Sequence, residues 1–409
     1  MGYVPRNIEN AVKRIARSFA SVLVTGPRQT GKTTLLKKLF LNEAKFVTFD
    51  NKQDLLMARQ SEELFFKQNK PPVILDEIQY APNLFSEIKL ISDRDRKKGQ
   101  FYMTGSQAYE LMQNVSESLA GRVGIVRMLG LSFRETAQDG CLTPFIPTEE
   151  FLESRKTDKD SDEYWCVWNR IVRGGYPELH ENQEIQTMDY YSSYVATYLE
   201  RDVRQLIHIS DELDFIRFMT VTAAHTGRLV NYDSIARDVG VSPQTVKRWM
   251  SILITSGLVY LLEPYHNNLI SRAVKTPKLY FMDTGLVCHL TRWYAPEQAE
   301  RGAMSGALFE TFVVSEIIKG YYNAGNPKPP LYFYRDKDGK EIDLIIHENG
   351  TLYPIEIKKR GAAALGDIAV FKALDGNPQC ERGTGAVIAL ADEMRYLDAR
   401  NRVVPVRMI

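Results

Sequence analysis

The stretch GPRQTGKTT, residues 26–34, stands directly after the apolar run SVLVT (21–25) and before the amphipathic run LLKKLF (35–40). It reads as Gly26, Pro27, Arg28, Gln29, Thr30, Gly31, Lys32, Thr33 and Thr34, which is the spacing GxxxxGK[ST] between a strand and a helix. Glycines at its first and sixth positions let a loop wrap an anion without Cβ clashes. The N–H groups at the helix start, which lack partners within the helix, then point at that anion. Lys32 is expected to neutralise the β- and γ-phosphates of ATP, and Thr33 to offer its hydroxyl to Mg2+.

Around this loop, short β-branched runs recur at 21–26, 45–50, 71–77, 100–106 and 121–129, with amphipathic segments between them. Buried runs that alternate with helical patterns specify an α/β fold, a parallel sheet covered on both faces. The third run, VILDE (73–77), ends in two acids where such sheets bind their ligands. Asp76 is expected to hold magnesium and Glu77 to polarise the attacking water. Ser106, closing FYMTGS, is expected beside them as a group that senses the γ-phosphate. Arg122, in LAGR, is a candidate to reach a nucleotide bound by a neighbouring subunit, with Arg28, Arg201 and Arg204 as weaker candidates.

The polar patch LESRKTDKDSDEY (152–164) reads as a surface loop, and 165–230 as a helical connector without strand alternation. Residues 231–290 form a unit of their own. YDSIARDVG gives a short helix ended by Gly240, and Ser242 caps a second with Pro243 at its first position. The runs 258–265 and 278–283 follow as the strands of a wing. On the second helix Val246, Met250, Leu253 and Ile254 point inward, and Gln244, Lys247 and Arg248 outward. This is the layout of a recognition helix that meets DNA, although winged helices also serve as lids or protein-binding modules.

From 300 to 409 an amphipathic helix (ALFETFVVSEIIKGYY) precedes strands at 331–336, 341–346 and 351–359, then a helical segment GDIAVFKAL and two more strands. Glu356 and Lys358, two apart on one strand, share a face. If the hairpin aligns its strands, Asp343 and Glu356 converge on one magnesium ion. Lys358 would then activate a water or stabilise charge on phosphate, and Glu310 would be a further ligand. Hydrolysis of a phosphodiester requires such a set.

Composition narrows the field. In 409 residues, 44% are hydrophobic and 25% charged, and Lys+Arg 52 against Asp+Glu 51 leaves a net charge of +1. That excludes an overall cationic protein but not a local basic surface. No apolar run is long enough to span a membrane. Four scattered cysteines argue against a disulfide framework or a structural zinc. A cytoplasmic protein is expected.

Taken together, GPRQTGKTT, VILDEIQ and TGSQ resemble the nucleotide-binding motifs of AAA-type P-loop ATPases. Glu310, Asp343, Glu356 and Lys358 resemble the PD-(D/E)xK restriction-endonuclease-like superfamily. With LAGR, GGYPE, YLERDV, FMDTGL and EIDLII, the chain looks like an archaeal and bacterial family of uncharacterised ATPases that joins these ends through a winged helix. The resemblance implies an ATPase core at 1–150, a helical connector at 165–230, a winged helix at 231–290 and a nuclease-like α/β domain at 300–409. It also implies ATP and Mg2+ binding and assembly into a homo-oligomer through shared nucleotide sites. Two departures stand out: no second sensor arginine follows residue 165, and EID replaces a proline–aspartate pair. The expected function is ATP hydrolysis associated with DNA, with a metal-dependent nuclease fold. The alternative is a nucleotide-dependent switch whose C-terminal domain only binds a partner, and a third reading is a protein remodeller.

Overall fold

The computed structural model describes residues 3–105, 119–155, 163–199, 203, 212–265, 276–375 and 379–409. Five parallel strands, β1 (Ser21–Thr25), β2 (Lys45–Thr48), β3 (Val73–Asp76), β4 (Phe101–Gly105) and β5 (Val123–Arg127), form a sheet in the order β2-β3-β4-β1-β5. Their alternation sorts side chains onto two faces. Val22, Val24, Ile74 and Tyr102 meet α1 (Glu9–Ser18) and α2 (Lys32–Phe40). Leu23, Leu75, Phe101 and Met103 meet α3 (Lys52–Gln60), α4 (Glu62–Gln68) and α5 (Leu84–Asp95). Both faces are thus buried, as the continuous apolar runs require.

After β5 come α6 (Phe133–Ala137), α7 (Glu149–Ser154), α8 (Glu163–Arg173), α9 (Pro177–Glu181) and α10 (Thr187–Tyr198). The expected loop at 152–164 is therefore shorter at both ends, since α7 reaches Ser154 and α8 begins at Glu163. Next follow α11 (Glu212–Ala224), strand β6 (Arg228–Leu229), α12 (Tyr232–Val239) and α13 (Pro243–Thr255). Gly240, at φ 89°, ends α12 in the left-handed conformation, and the Ser242 hydroxyl accepts the Thr245 amide at 3.1 Å to open α13. Antiparallel β7 (Val259–Leu262) and β8 (Lys278–Phe281) complete a three-stranded sheet, β6-β8-β7. The two-residue β6 lies inside the segment expected to be purely helical. It is too short to show alternation.

The last region packs α14 (Thr284–Leu290), α15 (Pro296–Arg301) and the long α16 (Ser305–Asn323) against a mixed sheet. That sheet is built from β9 (Leu331–Arg335), β10 (Glu341–Glu348), β11 (Thr351–Lys358), β12 (Glu381–Arg382), β13 (Gly385–Ala389), β14 (Arg395–Tyr396) and β15 (Asn401–Pro405). Its order is β14-β15-β13-β11-β10-β9, with β12 beside β11. The segment expected to be helical, GDIAVFKAL, is a 3-10 stretch over Leu365–Leu374 that lays Ile368, Phe371 and Leu374 against this sheet. One apolar cluster runs without a break from Trp168 and Tyr191 through Trp249 and Phe281 to Phe312, Ile355 and Ile388. No helix among the described residues is long and apolar enough to cross a membrane.

Candidate functional site

The loop between β1 and α2 needs its first glycine. Gly26 has φ 141°, and a Cβ there would fall 1.9 Å from the Met128 carbonyl oxygen. Gln29 (φ 58°) and Gly31 (φ 89°) complete the wrap. Lys32 is buried, and its ammonium donates to the Gly26 and Pro27 carbonyls at 3.0 and 2.7 Å. Arg6, far outside the motif, braces the loop from below. It donates to the Thr30 and Leu129 carbonyls at 2.9 and 2.8 Å and pairs with Glu135 at 2.9 Å. Glu135 also accepts the Asn7 and Ser132 amides at 2.9 and 2.7 Å. Burial alone would push the Glu135 carboxyl up; the Arg6 charge and these hydrogen bonds outweigh it and hold the carboxyl below its ordinary value.

Asp76 is the hub of the site. Its Oδ1 accepts the Thr33 hydroxyl at 2.6 Å and the Thr104 hydroxyl at 2.8 Å, and its Oδ2 the Thr48 hydroxyl at 3.2 Å. Glu77 follows with φ 57°, a left-handed turn that lifts it off the strand. Its amide donates to Thr104 Oγ1 at 3.1 Å, and its carboxylate accepts from Gln79. Thr48 and Thr104 were not singled out from the sequence. The signal that finds them is register: Thr48 lies opposite Asp76 on one side, and on the other Leu75 pairs with Met103, so that Thr104 comes level with Asp76. The Thr33 hydroxyl and Asp76 carboxylate, side by side at the mouth of a glycine cradle, suit magnesium by donor chemistry, an alcohol and a carboxylate with hard oxygens. Thr34 is exposed on the first turn of α2.

Ser106 lies outside the described residues, as do Arg201 and Arg204. Arg122 sits at the opposite end of the sheet from the loop, because Ser21 donates its amide to the Arg122 carbonyl at the start of β1. It forms a forked pair with Asp93 at 2.6 and 3.0 Å on the surface. Within one chain it does not approach Lys32.

One side chain and one glycine from the following regions reach the loop. The Tyr190 hydroxyl donates to Gln29 Oε1 at 2.7 Å, and a Cβ on Gly257, after α13, would stand 3.1 Å from Pro27 Cδ. The phrases GGYPE and FMDTGL pack on each other. Asp283 accepts the Gly175 amide and the Tyr191 hydroxyl, both at 2.7 Å, and a Cβ on Gly174 (φ 77°) would fall 2.0 Å from that hydroxyl. On α13, Val246, Trp249, Met250 and Leu253 are buried and Ile254 is half-buried, while Gln244, Lys247 and Arg248 are exposed.

In the C-terminal sheet, Leu344 lies opposite Ile355, a register that carries Asp343 across from Glu356. The pairing of β10 with β9 shifts between Ile342 and Ile345, so a bulge re-aims the chain at Asp343. Asp343 Oδ2 accepts the Ile357 amide at 2.9 Å, and Glu356 pairs with Lys358 at 2.6 Å. The remaining Glu356 oxygen is buried with no hydrogen-bond partner among the described residues. Burial, followed by the Glu310 and Glu356 charges, pushes the Asp343 carboxyl well above its ordinary value. Burial likewise raises that of Glu356, against the pull of Lys358.

Of the expected metal ligands Glu310, Asp343 and Glu356, the first two face an ammonium of the chain itself. Among the described residues, no three His, Cys, Asp or Glu side chains are arranged to hold a metal ion. The ammonium belongs to Lys278, which was not singled out from the sequence. Its buried ammonium, carried in by β8, lies 3.0 Å from Glu310 and 3.7 Å from Asp343 and bonds Glu341. Tyr280, two residues on and on the same face of β8, donates to the same Glu310 oxygen at 2.6 Å.

Residues 18–137 match the model of the AAA domain, residues 166–297 a domain of unknown function (DUF8612) and residues 305–409 another (DUF4143). An uncharacterized protein of Mycobacterium tuberculosis, Rv2008c, is 28% identical over 362 residues, spanning 88% of this chain and 75% of the relative. Its Mycobacterium bovis counterpart, Mb2031c, gives the same figures. Among solved structures, the Walker-type ATPase PABY2304 of Pyrococcus abyssi overlaps 69% of this chain and 94% of its own, at 13% identity and TM-score 0.45. The Thermotoga maritima RuvB Holliday junction branch migration motor overlaps 62% and 86%, at 15% and 0.28. Likenesses this distant say nothing about chemistry in this chain. The family match, the five-stranded parallel sheet and the glycine loop agree on the N-terminal third: it is a AAA-type P-loop ATPase domain, joined in one chain to a C-terminal domain of the DUF4143 family.

Proposed function

We propose that the chain binds ATP with Mg2+ at residues 26–34 and hydrolyses it, and that ATP turnover governs contact with DNA. The observation that carries the reading is the Asp76 hub, which gathers Thr33, Thr48 and Thr104 and sets Glu77 beside them. Bound Mg2+ would neutralise phosphate charge and polarise the reacting phosphorus, with Thr33 and Asp76 as the residues that hold it. Lys32 exchanges the Gly26 and Pro27 carbonyls for phosphate oxygens. Glu77, lifted off the strand by its left-handed turn and oriented by Gln79, accepts a hydrogen bond from water and directs it. The loop amides of Gly31, Lys32 and Thr33 take up the negative charge.

The boundaries that suit this reading are an ATPase core at 1–150, a helical connector at 165–230, a winged helix at 231–290 and a nuclease-like domain at 300–409. The order α11, β6, α12, α13, β7, β8 supports the winged helix, and exposed Gln244, Lys247 and Arg248 are its DNA-facing groups. The order helix, β-hairpin with Asp343, then Glu356 and Lys358 supports the nuclease-like fold. Arg122 remains the candidate that reaches a nucleotide on a neighbouring copy in a homo-oligomer, exchanging its surface pair with Asp93.

For the C-terminal domain a specific observation favours the second reading, a nucleotide-dependent switch that binds rather than cuts: Lys278 already fills the acidic cluster. The test is ATP turnover and cleavage of linear, nicked, single-stranded and branched DNA. Wild type is compared with Lys32→Ala, Glu77→Gln and Asp343→Ala. Turnover lost in the first two variants supports the ATPase. Turnover unchanged in Lys32→Ala sinks it. Cleavage lost in Asp343→Ala would replace the switch by a nuclease.

A further inference from the structure

Lys278 is the place where charge and topology disagree with an ordinary buried ion pair. One ammonium faces three carboxylates, those of Glu310, Glu341 and Asp343, which belong to a helix and a strand of the C-terminal domain. The lysine arrives from β8, a strand of the preceding three-stranded sheet, and its side chain is only 4% exposed. Burying a charge is costly unless geometry and hydrogen bonds compensate, and three acids for one base exceed what compensation needs. Arg335 relieves part of the surplus on Glu341 at 3.3 Å, and Lys358 holds Glu356. One Glu356 oxygen nevertheless stays buried without a hydrogen-bond partner among the described residues. Hard oxygens in this number ordinarily gather a divalent cation. Here the positive charge is covalently part of the chain.

We propose that Lys278 is the resident cation of the C-terminal acidic cluster, supplied by β8 in place of a metal, and that the cluster takes a divalent ion only when that ammonium is removed. The inference rests on the C-terminal reading above but not on cleavage or ATP turnover. Three structural features meet at the cluster. The bulge at Asp343 turns its carboxylate toward Lys278. Tyr280, on the same face of β8, ties that strand to Glu310 a second time. Gly227 leaves room at the Glu310 carboxylate, since even an added Cβ would stand 3.8 Å away. The strand therefore works as a plug with two prongs, a cation and a hydrogen-bond donor.

The test is terbium luminescence excited through tyrosine, with Tb3+ alone added to nucleotide-free full-length protein, followed by Mn2+ competition. Wild type is expected to show no signal that depends on Asp343. Lys278→Met is expected to gain a saturable site, at least tenfold tighter than any in wild type and lost again in Lys278→Met/Asp343→Asn. Lys278→Arg, which keeps the charge, is expected to stay blank. A blank Lys278→Met that is folded by circular dichroism overturns the proposal. So does an Asp343-dependent signal in wild type, a comparison that needs only wild type and Asp343→Asn and holds even if Lys278→Met fails to fold. Cleavage without such a signal would fail the switch reading while leaving this inference standing.

Discussion

Tyr190 donates its hydroxyl to Gln29 Oε1 at 2.7 Å across 161 positions of sequence, so α10 holds the middle of the phosphate loop. Burial, with the neighbouring Tyr194, pushes the Tyr190 phenol far up, which keeps the proton on the donor. Tyr190→Phe removes this one bond and nothing else. A neutral hydrogen bond contributes about 0.5–1.5 kcal/mol. Nucleotide affinity, read with a fluorescent ADP, is expected to weaken by roughly two- to tenfold with the unfolding midpoint almost unmoved. Unchanged affinity would mean that the loop does not depend on α10.

Thr104 links the two acids, accepting the Glu77 amide while donating to Asp76. Thr104→Val keeps the volume but removes the hydroxyl that accepts the half-buried Glu77 amide and donates to Asp76, at a cost of about 1–3 kcal/mol. The expected result in steady-state kinetics is a fall in kcat of roughly ten- to a hundredfold with little change in KM. A variant with wild-type kcat would show the threonine to be merely packing.

The Arg6–Glu135 pair predicts an acid-sensitive step. Because the folded state holds the Glu135 carboxyl below its ordinary value, the pair's contribution is complete above the unfolded-state value, about 4.3, and is lost as pH falls through the folded one. Melting temperature measured from pH 3 to 6 is expected to fall more steeply for wild type than for Glu135→Gln. At neutral pH the variant should be the less stable, since Arg6 is left buried without its counter-charge. Parallel curves would remove Glu135 from the account.

Gly174→Ala should be among the most damaging small substitutions. The left-handed backbone costs an alanine about 1–2 kcal/mol, and its methyl would collide with the Tyr191 hydroxyl and the Asp283 carboxylate. Chemical unfolding is expected to show a loss larger than the backbone figure alone. A loss within it would mean that the junction relaxes freely.

For the exposed face of α13, Lys247→Ala with Arg248→Ala is expected to weaken DNA binding across unrelated sequences. Two phosphate contacts fewer would also reduce the salt dependence by a slope of about two. Fluorescence anisotropy over a salt series reads both. An unchanged slope would assign α13 to protein contacts, a role that the Lys247 ammonium, 5.6 Å from the Tyr232 ring centre, does not oppose.

What could be read from sequence follows the range of the interactions involved. The glycine loop, Asp76 and the five strands are local patterns: apolar runs of strand length, a fixed spacing, acids at a strand end. Thr48 and Thr104 required strand neighbours, which a single sequence does not give. Lys278 was invisible for a sharper reason. In KLYFMD it reads as the solvated start of an edge strand, and only tertiary packing turns it into a buried ion facing acids that lie 32 or more positions later. The bulge at Asp343 is hidden in the same way, because EIDLII has no glycine to mark it and the apolar run Leu344–Ile346 reads simply as buried strand.

Residues 166–297 and 305–409 match separate family models, yet Trp249, Phe281, Phe312 and Ile388 belong to one apolar mass. Parts that share a core are inherited as a pair. A recombination event that exchanged the last hundred residues for a foreign domain would strip Phe309, Phe312 and Ile317 of their neighbours, opening a greasy scar rather than founding a new enzyme. The first 137 residues are tied in more lightly: two apolar layers close on their own sheet, while Leu129 belongs to the shared mass and Phe133 packs against Phe312. The lineage of this chain is therefore expected to show a C-terminal half that travels whole.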